Sequence, residues 1–351
     1  MNAIRRNIAI TRQRGSVLVL VLVIVSSMTA LAFGLAYRTR TEMKLVKANA
    51  QQVCAYHLAM GGIERAIAQL STKTDGEVNV TCLGSFTNTV TSESLFNGLS
   101  DQIVEDSCLW YAIRDEQGFL NINKSDPAIW ANIEVLNKGQ RACILDWQDT
   151  DNDTNPEGAE SDFYETLEPP CIAKNGPILS LRELLYVRNI SYDVYLGRKL
   201  YRNVFLDRIP NEDPSVLFDV DKHGSDLGLI DIFTVYGTGQ ININTAPRVI
   251  LAALPGLDEA TAEAILSHRS GEDGRPGTDD DVSLKSAADL ANVPGVTELQ
   301  IELLGQYCCF SSEYFRTYSY ARTNTGNVCC LMATIRHNDN GTQVIHVETL
   351  F

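Results

Sequence analysis

The chain has 351 residues, 44% of them hydrophobic and 21% charged, a balance that allows a packed core, excludes wholesale disorder and suggests about two domains. The 44 acidic residues outnumber the 29 basic ones, for a net charge of −15. Such a chain is repelled by nucleic acid unless it holds a local basic patch, whereas its acidity suits cation binding or a solvated acidic surface.

The charge is unevenly placed. Residues 1–15 contain Arg5, Arg6, Arg12 and Arg14 and no acid, so the remainder carries 25 basic against 44 acidic residues, or −19. Residues 16–37, SVLVLVLVIVSSMTALAFGLAY, hold no charge. As a helix they would rise about 33 Å, enough to cross a bilayer core, where only a helix satisfies its own backbone within one segment. Three readings fit: a cleaved secretory signal with Ala30-Leu31-Ala32 as the small-residue site, a plain signal anchor, or a short basic leader cut between Gly15 and Ser16. Arg38, Arg40, Lys44 and Lys47 follow the span, so the positive-inside rule votes only weakly for an inside N-terminus. Val46, Ala50, Val53, Met60, Ile63, Ile67 and Leu70 then recur at helical spacing, which predicts one continuous helix to about residue 71.

A basic leader ending in Gly, an apolar half-helix and an amphipathic half-helix resemble type IV pilins and pseudopilins. Most of these carry Glu at the fifth mature position, and here that position is Leu20. In the family picture this Glu pairs with the N-terminal amine of the subunit above, because a bare carboxylate in hydrocarbon is costly. Its absence resembles the K-type minor pseudopilin of type II secretion (general secretion pathway protein K family), which is thought to sit at the filament tip.

Further along, residues 72–100 are rich in Thr, Ser, Asn and Gly and read as a loop with short strands. Residues 108–114 and 118–123 read as two strands of a hairpin around Asp115-Glu116-Gln117. Residues 124–209 read as largely helical, with a start at Asp126-Pro127 and a Gly139 stop, a helix over QRACILDWQ, and a capping box of Ser180 and Glu183. Asp146-Trp147, Asp149, Asp151, Gly158-Ala159-Glu160 and Tyr164 resemble the K-type family, as do Ile241 to Pro247 and the following VILAALPGLDEATAEAILSHR. Residues 311–350 read as strands separated by Asn-Gly turns. The resemblance covers nearly the whole chain. It implies an α+β pilin-like fold, a long N-terminal helix packed on an antiparallel sheet, with a large α-helical insertion of two sterile-alpha-motif-like units. The expected organisation is a leader over 1–15, a transmembrane half-helix over 16–37, pilin-like parts over 38–123 and 307–351, and helical units over 124–235 and 236–306.

Two acidic runs are candidate metal sites. Asp149, Asp151, Asp153, Asn155, Glu157 and Glu160 fall at offsets one, three, five, seven, nine and twelve, the spacing of an EF-hand calcium loop. The sixth place is Thr154 rather than Gly, and Pro156 stiffens the loop, so calcium held by some of these oxygens is expected more than EF-hand geometry itself. A solvated loop, closed by a Cys143–Cys171 disulfide, is the alternative. The second run is Glu272, Asp273, Asp279, Asp280 and Asp281 in a Gly-Pro loop. The resemblance implies calcium as a structural cofactor without saying which residues ligate it. Asp219, Asp221 and Asp226 form a weaker group.

Nine cysteines include the adjacent pairs Cys308-Cys309 and Cys329-Cys330 but no Cys-x-x-Cys, and adjacency suits a zinc site poorly. Neither Gly-x-Ser-x-Gly nor a phosphate loop is present, and the five histidines show no metal spacing, so no enzyme is expected. The turn Pro255-Gly256-Leu257-Asp258 resembles a helix-hairpin-helix, but Asp258 stands where phosphate-gripping turns have a second Gly. What the resemblance implies is a single-pass inner-membrane protein with its C-terminal domain in the periplasm. Its expected partners are I-type and J-type minor pseudopilins and prepilin peptidase, with no nucleic acid. A minor pilin of a type IV pilus or DNA-uptake system, touching DNA through the hairpin, is the alternative.

Overall fold

A computed structural model describes residues 16–71, 88–91, 107–197, 226–272, 274, 280–338 and 341–350. The leader with Gly15, most of the expected 72–100 loop, Asp219 and Asp221, and Asp273 and Asp279 lie outside the described residues. The chain divides into two units, Met1–Val53 and Cys54–Phe351.

Helix α1 runs without a break from Ser16 to Ser71, as the sequence predicts. In the first unit its apolar side chains are bare: Leu18 is 73% and Phe33 77% exposed. Two hydroxyls within this stretch are satisfied by the helix itself. Ser26 Oγ donates to the Val23 carbonyl and Thr29 Oγ1 to that of Val25, the arrangement that makes a hydroxyl tolerable in hydrocarbon. The helix is long and apolar enough to cross a membrane.

The second unit is built on a five-stranded antiparallel sheet: β1 (Asn88–Thr91), β2 (Cys108–Asp115), β7 (Tyr314–Arg322), β8 (Val328–Asn338) and β9 (Gly341–Thr349), in that spatial order. One face packs on the end of α1. Ala55, Leu58, Ala59, Ile63, Ala66 and Leu70 are buried against Leu109, Tyr111, Ile113, Phe315, Leu331 and Ile335. The predicted stripe is corrected here. Met60 and Ile67 pack only partly, and Val46 and Val53 are 67% and 55% exposed. Small residues make the closest approach. Ser319 Oγ donates to the Ala59 carbonyl at 2.7 Å, and a Cβ on Gly62 would fall on that hydroxyl. A contact made by Ala and Gly leaves little trace in a hydrophobic pattern.

The chain between β2 and β7, from Glu116 to Glu313, is the helical insertion. Its elements are β3 (Leu120–Asn121), α2 (Pro127–Trp130), α3 (Lys138–Gln148), α4 (Ser161–Tyr164), α5 (Tyr192–Leu196), β4 (Phe233–Thr234), β5 (Ile241–Asn242), α6 (Arg248–Ala253), α7 (Glu259–Arg269), α8 (Glu298–Tyr307) and β6 (Cys308–Cys309). One apolar core joins residues of both helical segments, such as Trp130, Ile144, Tyr164, Ile250, Ile265 and Leu304, to Trp110, Tyr318 and Cys330 on the sheet's other face.

The expected hairpin around residues 115–117 does not form. Glu116–Gly118 is a 3-10 turn, β2 pairs with β7, and β3 pairs in parallel with β4. Buried ionic bonds fix this turn. Arg316 donates through Nε and Nη2 to the two Glu116 carboxylate oxygens, each at 2.8 Å, and through Nη1 to the Ile230 carbonyl at 2.6 Å. Asp115 accepts from the Gln117 N–H, Asn242 Nδ2, Thr245 Oγ1 and Ser312 Oγ at 2.6–2.7 Å. Burial pushes Asp115 up while these donors pull it down. The Ile241–Pro247 segment is therefore a structural staple. Asn242 and Thr245 hold Asp115, and Asn244 exchanges hydrogen bonds with Leu284.

Gly139 does not stop a helix but lies inside α3, which Asn137 and Gln140 open with a capping box. Ser180 caps a 3-10 turn over Leu181–Tyr186. The expected reciprocal bond from Glu183 is absent among the described contacts, because Glu183 accepts from Lys174 Nζ at 2.7 Å and Trp147 Nε1 at 3.0 Å.

Candidate metal centre

Helix α3 ends with two acids, Asp146 in its last turn and Asp149 as C-cap, three residues apart and hence on one face. No basic residue lies in that turn. Acids at a helix C-terminus face the negative end of the helix dipole, so this placement is unfavourable on its own. Glu160 then arrives from the loop. It stands at the N-cap of α4 but makes no side-chain cap hydrogen bond. Its carboxylate meets the other two instead: ligand oxygens of Asp146, Asp149 and Glu160 all lie within 4.8 Å of one another.

Burial makes this arrangement costly. Asp146 is 0% and Glu160 2% exposed. Asp146 Oδ2, Asp149 Oδ1 and both Glu160 oxygens are buried with no hydrogen-bond partner, a set that loses its hydration without replacement. Burial first, and then the charges of Asp149, Asp146 and Asp151, push the Glu160 carboxyl up to about 7. Burial, with Asp151 and Asp146, raises Asp149. Calcium binds oxygens at about 2.3–2.6 Å, so ligands on opposite sides of one ion stand about 5 Å apart. The cluster's spacing and its all-oxygen chemistry fit that ion.

Of the residues at EF-hand spacing, the structure brings together the first and the last, Asp149 and Glu160. Asp151 Oδ1 instead accepts the Asp153 N–H at 2.8 Å in an Asx turn, and Asp153 is exposed. Asn155 donates to Asp146. Glu157, at φ 72°, is exposed and 3.7 Å from Lys138 Nζ. Asp146 is the residue missed by spacing alone, although two acids at a helix C-terminus were a legible signal. Gly158 was missed as well: a Cβ there would fall on Asp146 Oδ2. The expected Cys143–Cys171 disulfide is not formed. Both are free thiols, with Cys143 Sγ 3.6 Å from the Glu157 carbonyl and Cys171 Sγ 4.0 Å from that of Tyr164.

In the second acidic loop, Asp280 Oδ2 accepts the Glu272 N–H at 2.7 Å, close beside Gly271, which is at φ 65°. Glu272 and Asp280 are exposed and Asp281 half-buried, and among the described residues they do not gather as the first group does. The hairpin turn is largely exposed and packs along α8. A Cβ on Gly256 would fall on Leu303, Gln300 Nε2 donates to the Gly256 carbonyl, and Asp258 caps α7 through Thr261. The Thr261 hydrogen bonds hold the Asp258 carboxyl below its usual range, leaving a negative charge where a phosphate would dock.

No curated protein matches this sequence. A solved structure is similar: a chain of the GspK-GspI-GspJ complex from the enterotoxigenic Escherichia coli type 2 secretion system, at 15% identity and TM-score 0.49, with 89% of this chain and 99% of that chain covered. Two family models, each described as type II secretion system (T2SS), protein K, match residues 132–204 and 241–304, the first spanning the carboxylate cluster and the second the helical hairpin. Over these two segments the chain is similar to the type II secretion system protein K family, the K-type minor pseudopilins.

Proposed function

We propose that this pseudopilin is the tip subunit of the type II pseudopilus. There it initiates or caps assembly with I-type and J-type minor pseudopilins and so supports protein export across the outer membrane. The observation that carries this reading is Leu20, 61% exposed on the apolar part of α1, where most pilins place a glutamate. A subunit with none above it has no amine for that carboxylate to meet. The soluble unit lies in the periplasm, the anchor in the inner membrane, and prepilin peptidase cuts between Gly15 and Ser16. The role is structural rather than catalytic.

Calcium is the proposed structural cofactor, held by Asp146, Asp149 and Glu160. Glu272, Asp273, Asp279, Asp280 and Asp281 are a second candidate set. A cation reverses the sign of the repulsion among the buried carboxylates, and its binding energy adds to stability. Site-specific crosslinking from the soluble unit in assembled filaments tests position: adducts with I-type and J-type partners are expected, whereas repeated self-adducts along the shaft would overturn the tip assignment. Titration of the full chain in detergent tests the cofactor. A saturable calcium site with a calcium-dependent rise in melting, larger than in magnesium, is expected, and its absence returns the cluster to an ion-free acidic loop.

A further inference from the structure

We infer that Asn155 is a positioning residue of this cation site and not one of its ligands, an inference that rests on the calcium reading above. The twelve-residue spacing would have Asn155 turn its backbone carbonyl to the ion, but that carbonyl accepts the Gly158 N–H instead. Its nitrogens do something else. The side-chain Nδ2 lies 2.6 Å from Asp146 Oδ1, and its backbone N–H reaches the same oxygen at 3.2 Å. An amide oxygen in that place would sit against a carboxylate oxygen, so the nitrogen belongs there.

Two donors on Oδ1 fix the Asp146 carboxylate in rotation. Its other oxygen, Oδ2, is left buried and without a donor, and one oxygen of this carboxylate lies within 4.8 Å of ligand oxygens of Asp149 and Glu160. The turn carrying Asn155 is held in its own right. The Asn155 carbonyl accepts the Gly158 N–H at 2.8 Å, and the absence of a side chain on Gly158 keeps Oδ2 clear. Beyond the turn, Arg188 Nη1 donates to the Gly158 carbonyl at 3.1 Å while its guanidinium lies over the Phe163 ring, 4.4 Å from the centroid. A residue that aims a ligand lowers the ordering cost of binding, and loss of such a partner typically weakens metal affinity about 10–100-fold.

The two roles of Asn155 predict opposite signs for one substitution. As a ligand, Asn155→Asp adds a charged oxygen to the ion and holds or tightens binding. As a positioning donor, the same change removes the hydrogen bond and sets a carboxylate against Asp146, and binding weakens. The experiment is calcium titration of the full chain in detergent for wild type, Asn155→Asp and Asn155→Ala, with melting of each in chelator. Expected are a saturable site in the wild type, affinity lower by about 10–100-fold in both variants, and melting in chelator little changed in Asn155→Ala and lower in Asn155→Asp, whose added carboxylate faces Asp146. Tighter binding by Asn155→Asp, unchanged binding by Asn155→Ala, or an equal fall of melting in chelator and in calcium for Asn155→Ala overturns the positioning role while leaving the cation site standing. A wild type with no saturable site overturns the cation reading and the positioning role with it.

Discussion

Two groups of buried carboxylates, one where β2 meets the insertion and one within it, are solved differently. Glu116 has Arg316 clamped on both oxygens, and Asp115 has four donors. Asp146 takes its donors from Asn155 alone, and Asp146, Asp149 and Glu160 together leave four oxygens buried without a partner. Depth does not separate them, since Glu116, Asp146 and Glu160 are each at most 2% exposed. What separates them is the inventory of partners. The first group is complete within the chain and holds β2, β7 and the Ile241–Pro247 turn together. The second is short of positive charge, the lack that the proposed calcium ion would fill.

Breaking the self-sufficient group should have the largest effect and should ignore calcium. Arg316→Met leaves Glu116 buried and unpaired, and a loss of about 3–5 kcal/mol in unfolding free energy is expected, equal in calcium and in chelator by chemical denaturation. A calcium-sensitive loss would erase the distinction between the groups.

Next in size is the ion-dependent group. Asp146→Asn together with Asp149→Asn should remove the calcium-dependent gain, about 2.7 kcal/mol when calcium stands a hundredfold above its dissociation constant, while stability in chelator holds or rises. Melting in calcium and in chelator, compared for the same variant, measures this. A smaller effect follows from protons. In the folded, ion-free chain the Glu160 carboxyl is raised from 4.5 to about 7 by burial and by Asp149, Asp146 and Asp151. An acid with a raised folded pKa contributes stability that is full below its unfolded value and is lost as pH climbs to the folded one. In chelator, melting should therefore fall between about pH 4.5 and 7, and Glu160→Gln should flatten that fall. A fall of the same size in Glu160→Gln would place its source elsewhere.

The smallest effect is expected at Asp280, whose carboxylate accepts an exposed hydrogen bond from Glu272. Asp280→Ala should cost about 0.5–1.5 kcal/mol in chelator. If the 272–281 loop holds a second ion, this substitution also removes a second step from the calcium titration.

Much of the architecture was legible because it rests on local periodicity. The charge-free run from residue 16 and the lack of a helix break through residue 71 specify α1. Alternation and turn residues mark β7, β8 and β9. The site was legible in part. Twelve-residue spacing found Asp149 and Glu160, while Asp146 escaped because a loop template does not look back into the preceding helix. The 115–117 hairpin failed for the opposite reason: locally the residues read as a turn between strands, but Glu116 has its partner 200 residues away.

By itself, then, the sequence determined a membrane-length helix, a run of C-terminal strands, an acidic loop with calcium-loop spacing and the likeness to K-type pseudopilins. These follow from the spacing of neighbouring side chains along the chain, which fixes what each segment can bury. Only the tertiary structure decided that Ala and Gly carry α1 onto the sheet, that Asp115 and Glu116 find their donors in Asn242, Thr245 and Arg316, and that Asp146 joins Asp149 and Glu160 with Asn155 behind it. Each of these is a pairing that costs chain entropy to assemble and is stable only once both groups have left water, so it exists in the folded molecule and in no single stretch of it.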